Sequence, residues 1–373
     1  MPAATSSQVE CPTPDGGTRT VRVSSPDRVL WPEHDGRAAI TKLDLAHYIR
    51  DVGPALLARI GGRPVTLQRF PTGIAGEEFY SKNPPKGLPD HVRTVVMTYP
   101  SGRKHPQLVV DEVATAVWAV QMNTITVHPW PVTVSDDPRS LDHPDEVRID
   151  LDPQPGRGFR DAVTAAQALR EVLAEAGLTG YPKTSGNRGV HVFCPIRPER
   201  EFLDVRHGVI ALARELERRL PQLVTTAWWK EQRGERVFVD YNQACRDRTI
   251  AAAYSPRPLP GAPVSMPLSW DELPEADPRD FTVHTAASIV ASRRAARSEP
   301  WQGYAASRGD LGTAMSWWER DVADGLPELA FPPDYPKMPG EPPRVQPSKK
   351  RYEDDEYTPG GAGYLREHPA RPD

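Results

Sequence analysis

Apolar residues recur at helical spacing from Thr41 to Gly61, where Leu45, Tyr48, Ile49, Val52 and Leu56 fall on one face. Thr41 stands where an N-cap is expected, Asp44 lies in the favourable first turn, and Gly61 can end the helix. The same period marks "RDAVTAAQALREVLAEAG", ended by Gly177, and the amphipathic stretch Phe202–Leu220. Shorter helices are predicted at Glu112–Asn123, at "ASIVASRRAA" and at "GTAMSWWERDVADGL". Between them run β-branched or alternating segments: "RPVTLQRFPTG", Val92–Tyr99, Gln107–Val110, "TITVHPWPV", "EVRIDLDP", the stretch after "TSGNRG", and "RVFVDYNQ". Strands interleaved with helices, and no internal repeat, predict a mixed α/β fold of the α+β class.

Composition sets the limits of this body. Residues 1–20 are rich in Ser, Thr, Pro and Gly and are expected to be disordered. A catalytic domain is expected over 21–297, and 298–373 as an extension, partly helical and then Pro-rich and charged from about Phe331. In that extension "SWWERDVADGL" can dock on the body through Trp317 and Trp318, or lie peripherally; "KKRYEDDEY" reads as a solvated charge run. The extension holds 9 Lys and Arg against 14 Asp and Glu, so it masks a near-neutral body within a chain of net charge −4. Three separated cysteines, Cys11, Cys194 and Cys245, argue against a disulfide framework or a cysteine zinc site and suit a reducing cytosol. With no membrane-length apolar run and no signal-peptide core, a cytoplasmic, nucleoid-associated protein is expected.

Candidate chemistry starts at "VRIDLDP". In a strand Val147, Ile149 and Leu151 share one face and Arg148, Asp150 and Asp152 the other, with the two carboxylates about 6.6 Å apart along the chain. Taken alone, such a pair reads first as a solvated strand end opened by Pro153. Its company changes the reading. Asp240 in "RVFVDYNQ" is another acid on an otherwise apolar strand, and three carboxylates would suit Mg²⁺ or Mn²⁺ rather than zinc. "TSGNRGVH" joins Ser185, Arg188 and His191 to a Gly turn whose N–H groups can receive phosphate oxygens. His128 and Arg257 read either as phosphate contacts or as a capped strand-end histidine and a solvated turn arginine. Phe79 and Tyr80, flanked by Lys82 and Lys86, read equally as a stacking platform for an unpaired base or as loop anchors.

In this order "SSPDRVLWP", "RPVTLQRFPTG", "FYSKNPP", "VRIDLDP", "TSGNRGVHV", "VFVDYNQ" and "TIAAAYSPR" resemble the polymerase domain of bacterial DNA ligase D, of the archaeo-eukaryotic primase superfamily, over roughly Val21 to Ile289. No K-x-D-G ligase motif occurs, so the resemblance is to a stand-alone primase-polymerase. It implies a primase-like core of β-sheets flanked by helices and a template-dependent nucleotidyltransferase. Such an enzyme extends a 3′-hydroxyl, often with ribonucleotides and Mn²⁺, by two-metal chemistry. Residue by residue, Asp150, Asp152 and Asp240 match the metal-binding carboxylates, and His128, Ser185, Arg188, His191 and Arg257 match triphosphate contacts. Gln68 and Gln243 fall in the same nucleotide-binding segments. Phe79 and Tyr80 match aromatics that engage template bases, with Arg69 and Lys82 beside them as DNA contacts. Arg28 and Lys42 match the basic residues that hold a 5′-phosphate. Four positions depart from the family pattern: Arg28 replaces a lysine, Ser25 an asparagine, Gln68 a basic residue and Ala244 an asparagine.

Two further readings compete. One is a non-catalytic DNA-end-binding module of end joining that recruits a partner such as Ku or a separate ligase. Its weakness is that the acids would oppose binding to phosphates. The other is a metal-dependent nuclease, for which the triphosphate-type cluster would be superfluous.

Overall fold

The computed structural model describes residues 5–344. In chain order its strands and helices are β1 (Ser6–Pro12), β2 (Thr18–Ser24), β3 (Val29–Trp31), β4 (Ile40–Thr41), α1 (Lys42–Ile60), β5 (Pro64–Arg69), β6 (Phe79–Ser81), β7 (Arg93–Thr98), β8 (Lys104–Val109), α2 (Val113–Gln121) and β9 (Thr124–Pro129). There follow β10 (Glu146–Pro153), α3 (Phe159–Glu175), β11 (Tyr181–Thr184), β12 (Val190–Pro195), α4 (Phe202–Arg219), β13 (Val224–Thr225), α5 (Lys230–Arg233), β14 (Val237–Asp240), α6 (Ala286–Ala296) and α7 (Gly312–Ala323). The fold is mixed α/β, as the alternation of periods predicts.

Two sheets dominate. The first runs β11-β12-β10-β14-β13, antiparallel except for the β13/β14 pair. One face of this sheet is apolar: Val147, Ile149, Leu151, Val190, Val192 and Val239 are buried in one core cluster with Ala162, Ala165, Leu169 and Val172 of α3. The second sheet has β5 at its centre, bordered by β6 and β8 on one edge and β9 on the other, with β7 outside β8. Helix α1 packs on α2 and begins at a capping box. The Thr41 hydroxyl accepts from the Asp44 N–H at 3.2 Å, and the Asp44 carboxylate accepts from the Thr41 N–H at 2.9 Å.

A buried polar knot ties the two sheets together. Arg148 extends from β10 on the same face as Asp150, yet it is 2% exposed. Its guanidinium donates to the carbonyls of Pro129 and Trp130, at the end of β9, and to Glu146. Glu146 also accepts from Tyr304 Oη at 2.7 Å and pairs with Arg63 at 3.0 Å. The knot holds β9 against β10, and thereby His128 near Asp150.

One expectation needs correction. Residues 1–20 were expected to be disordered, but β1 and β2 form a regular antiparallel hairpin from Ser6 to Ser24. Val9, Cys11, Val21 and Val23 alternate inward toward α2, so a period-two stripe hidden among Ser and Thr gives these strands a core face. Nor does the chain beyond 297 stand apart from the body. Trp301 and Tyr304 are core residues, Trp301 Nε1 donates to Pro182 O at 2.8 Å, and α7 lies on α4 with Trp318 stacked on His207 at 4.1 Å. Residues 331–344 carry no helix or strand, as expected, but Phe331 is 2% exposed and Tyr335 Oη donates to Arg246 O at 2.7 Å. The charge run "KKRYEDDEY" lies outside the described residues. Among those described, no helix is long and apolar enough to cross a membrane.

Candidate active site

Strand register builds the centre of the site. Asp150 on β10 pairs directly with Asp240 on β14 and, on the other side, with His191 on β12; His191 pairs in turn with Lys183 on β11. Directly paired residues share a face, with Cβ atoms about 4.5–5.5 Å apart. Lys183, His191, Asp150 and Asp240 therefore form one row across four strands, opposite the apolar face packed on α3. Asp152 lies two residues along the same face and is exposed.

Burial and mutual repulsion raise the pKa of Asp150 to about 8, with burial first and then the carboxylates of Asp240 and Asp152. Burial also raises Asp240. Asp240 is held by the Asn242 N–H and by Gln243 Nε2, each at 3.0 Å, and Asp152 accepts from Gln154 Nε2 at 3.2 Å. Among the described residues no three His, Cys, Asp or Glu side chains already form a closed metal cage. The chemistry of the donor set suits a hard divalent cation: three carboxylates stand on one face of two paired strands, and the repulsion felt at Asp150 is what a cation would relieve.

Beside the acids lies a cavity of about 230 Å³ lined by Asp150, Asp152, His128, Ser185, Arg188, His191, Gln243 and Arg257, with Thr249–Ala251 along one wall. The "TSGNRG" turn shapes it. Gly186 has φ +74°, and a Cβ there would lie 2.4 Å from Arg257 Cγ, so both the backbone angle and the close approach require glycine. Ser185 Oγ accepts from the N–H groups of Asn187 and Gly189, each at 3.1 Å, and so fixes the turn. Arg188 is exposed at the mouth of the cavity. Arg257 donates to Ser185 O at 3.4 Å, but its buried Nε has no partner, nor does the buried Oε1 of Gln243. These orphan groups are ready for a polar ligand.

The two histidines are neutral. Burial pushes His128 down to about 3, with Arg257 and Lys183 adding to the shift, and takes His191 well below its usual value. His128 Nε2 lies 3.3 Å from Gln68 Oε1, and Gln68 Nε2 donates to Glu78 at 3.0 Å, so this glutamine is engaged with a carboxylate rather than free for phosphate.

Lys183 is the residue that the sequence reading missed. It is fully buried, donates to Ser265 Oγ, and its Nζ lies 2.8 Å from His191 Nδ1. A Lys183 that donates to Nδ1 places the His191 proton on Nε2, the nitrogen 3.4 Å from Asp150 Oδ1. The signal was available: Lys183 and His191 are equidistant from Asn187, so a hairpin centred on that turn must pair them. Replacing Lys183 by Met removes a buried amine whose pKa burial takes well below the usual lysine value, and should leave unfolding stability unchanged or raised. The same change should raise KM for nucleotide about tenfold, the cost of freeing a ligand-orienting group. Steady-state kinetics beside a urea melt check both outcomes.

A second cluster stands apart from the acids. Lys42 is 2% exposed at the start of α1, and burial, followed by the charges of Arg28 and Arg69, lowers its pKa to about 8. Arg28 donates to Pro71 O at 2.6 Å and to Asn123 Oδ1 at 3.1 Å, Arg69 donates to Met122 O at 2.7 Å, and no carboxylate pairs with any of the three among the described residues. Three cations gathered without a counter-charge create a local field that would favour an anion.

The aromatic loop divides into two environments. Phe79 and Tyr80 are both exposed, but as neighbours in β6 they point to opposite sides and do not form one platform. Tyr80 sits edge-on to His128 at 5.6 Å, whereas the Phe79 ring lies 4.8 Å from the Arg69 guanidinium, beside the basic cluster. Lys82 is not a free cation: it pairs with Asp247 at 3.6 Å and lies 4.8 Å from the Tyr99 ring centre.

Comparison with known proteins adds the context. The chain is 31% identical over 301 residues to the multifunctional non-homologous end joining protein LigD of Pseudomonas aeruginosa, covering 80% of this chain and 34% of that protein. It is 32% identical over 267 residues to the bifunctional LigD of Bacillus subtilis, covering 71% and 41% respectively. The chain thus spans roughly a third to two-fifths of these relatives. Among solved structures, the polymerase domain of Mycobacterium tuberculosis ligase D in complex with DNA superposes with a TM-score of 0.67 at 28% identity, over 77% of this chain and 98% of that domain. The profile of the LigD primase-polymerase domain matches residues 41–301, a span that takes in the whole acid row and every residue of the cavity beside it, and the chain belongs to that family.

Proposed function

We propose that this chain is a template-dependent nucleotidyltransferase that adds nucleotides, ribonucleotides readily among them, to a 3′-hydroxyl during gap filling, end joining or primer synthesis. The observation that carries the reading is the direct pairing of Asp150 with Asp240 next to a cavity lined by Ser185, Arg188, His191 and Arg257. On this reading Asp150, Asp152 and Asp240 hold two divalent ions, Mn²⁺ or Mg²⁺, which supply charge neutralisation at the attacking hydroxyl and the leaving pyrophosphate. Arg257 and Arg188 clamp the phosphates of an NTP or dNTP, the turn amides about Gly186 receive phosphate oxygens, and the His191 Nε2–H donates to one of them. His128 and Tyr80 wall the nucleotide, and Gln243 steadies Asp240.

DNA is the second partner. The relative solved with DNA and the cluster of Arg28, Lys42 and Arg69 support binding of a gapped or broken end through its 5′-phosphate, with Phe79 placed to stack on a neighbouring base. A phosphate there is held best while Lys42 is protonated, below about pH 8. The preference for 5′-phosphate over 5′-hydroxyl ends should therefore fade as pH rises through 8, and Lys42→Met should abolish it at pH 7; competition binding with the two ends checks both. Ku or a separate ligase is a fitting protein partner, and the nucleoid in the cytoplasm a fitting place of work.

The deciding experiment supplies an unprimed template and a gapped 5′-phosphorylated duplex side by side, with Mn²⁺ and ribonucleotides. Template-matched products on the gap support repair synthesis, and products on the unprimed strand support priming. Binding of ends with no nucleotide-dependent product would instead favour a recruiting module, which the basic cluster, standing apart from the acids, could serve alone.

A further inference from the structure

We propose that the segment Leu326–Phe331 and the buried Arg206 form a brace that sets the position of Asp240, so that the C-terminal extension tunes cation affinity at the acid row. This inference rests on the metal-binding role proposed for that row. Asp240 needs such support. It is the last residue of β14, and the chain enters a one-turn 3₁₀ helix, Tyr241–Ala244, immediately after it. Only one side of the carboxylate's surroundings is fixed by the sheet; the other depends on where that turn sits.

The turn is held by the extension. Arg206 on α4 is 1% exposed and acts as the hub. Its Nε donates to Asn242 Oδ1 at 3.0 Å, one Nη to Glu328 at 2.7 Å, and the other to the carbonyls of Leu329 and Ala330 at 2.9 and 3.2 Å. Asn242 Nδ2 closes the circuit by donating to Ala330 O at 3.0 Å. The Phe331 ring covers the guanidinium, 3.6 Å from its carbon. At the far side Glu328 also accepts from His207 Nε2 at 2.6 Å, and that ring is stacked under Trp318 of α7. The connection to the acid is short: the same Asn242 donates its backbone N–H to Asp240 Oδ1, and the next residue, Gln243, donates to Oδ2. Among the described residues, both hydrogen bonds to the Asp240 carboxylate thus come from a turn whose Asn242 is bonded to the extension. Residues 326–331 lie beyond the span matched by the family, which ends at 301.

A brace that only stabilised the fold would change melting and nothing else, so the readout is metal affinity. The full-length protein is titrated with MnCl₂ alone, without nucleotide or DNA, and the rise in melting temperature gives a half-saturating concentration. Glu328→Ala and Asn242→Ala should each raise that concentration about tenfold, the loss typical of removing support from a metal ligand. Glu328→Gln, which keeps an acceptor for Arg206, should recover most of it. Leu56→Ala is the control: Leu56 is fully buried on α1, which packs on α2, α6 and the N-terminal hairpin and not on α4 or the turn. It should lower the melting temperature and leave the Mn²⁺ midpoint in place. The brace is overturned if Glu328→Ala and Asn242→Ala keep the wild-type midpoint, or if Leu56→Ala moves it as far as they do. A wild-type protein whose melting ignores Mn²⁺ altogether would remove the metal-binding reading itself, and the brace with it.

Discussion

Asp150→Ala should reduce nucleotide addition by roughly 10²–10³-fold or more, the scale lost when a group that organises transition-state charge is removed. The folded protein should survive the change. Asp150 is flanked in register by Asp240 and lies near Asp152, and its pKa of about 8 records how poorly a further negative charge is tolerated there. In the absence of cation, removing this carboxylate therefore relieves repulsion instead of breaking a bond on which the fold depends. Thermal melting without metal should be unchanged or slightly raised, while the Mn²⁺-dependent rise seen in the wild type should vanish. Gel-resolved primer extension and a melt with and without MnCl₂ make the test. Activity within a factor of a few of the wild type would sink the assignment of the acid row. Asp152→Ala should behave alike, since Asp152 shares the face and is exposed.

Glu146→Ala should be the most destabilising single change within β10, by about 3–5 kcal/mol, the loss expected when one partner of a buried ion pair is removed. Glu146 is 3% exposed and is surrounded by Arg148, Arg63 and Tyr304. Its loss leaves Arg148, 2% exposed, with only carbonyl hydrogen-bond partners, and leaves Arg63 with one carboxylate partner, Asp145. Because Arg148 ties Pro129 and Trp130 to β10, the damage is to the joint between the sheets, and His128 should shift relative to Asp150. Urea unfolding followed by tryptophan fluorescence measures the first effect, and Trp130 reports from within the joint. A loss below about 1 kcal/mol, the scale of an exposed pair, would show that the knot is dispensable. Glu146→Gln should fall between the two, since the amide oxygen still accepts but the charge is gone.

The acids of the site could be read in the chain because period-two alternation puts Asp150 opposite Leu151 whatever the partner strand. Helix α1 was equally legible, since Thr41 and Asp44 cap it through neighbours in sequence. The N-terminal hairpin was not: Val9 and Cys11 gain their core face only because α2 packs over them. Lys183 was overlooked because a lysine in a strand reads as solvent-facing until the hairpin pairs it with His191 and buries it. Phe79 and Tyr80 look like a pair in sequence, but the strand that holds them separates them. The extension looked detachable, since Pro and acidic composition says nothing about Arg206 waiting on α4 to receive its carbonyls.

Local sequence pattern set the helices and most of the strands, the apolar face of each, and the face on which Asp150, Asp152 and Asp240 stand. These follow from backbone hydrogen bonding and side-chain period, both local. Only the tertiary structure decided that Asp240 pairs with Asp150, that Lys183 and Arg148 are buried, and that residues 326–331 clasp the turn after Asp240. Register between distant strands and the burial of charges are settled by packing across the whole chain, where a partner hundreds of residues away offsets a desolvation cost that no local window contains.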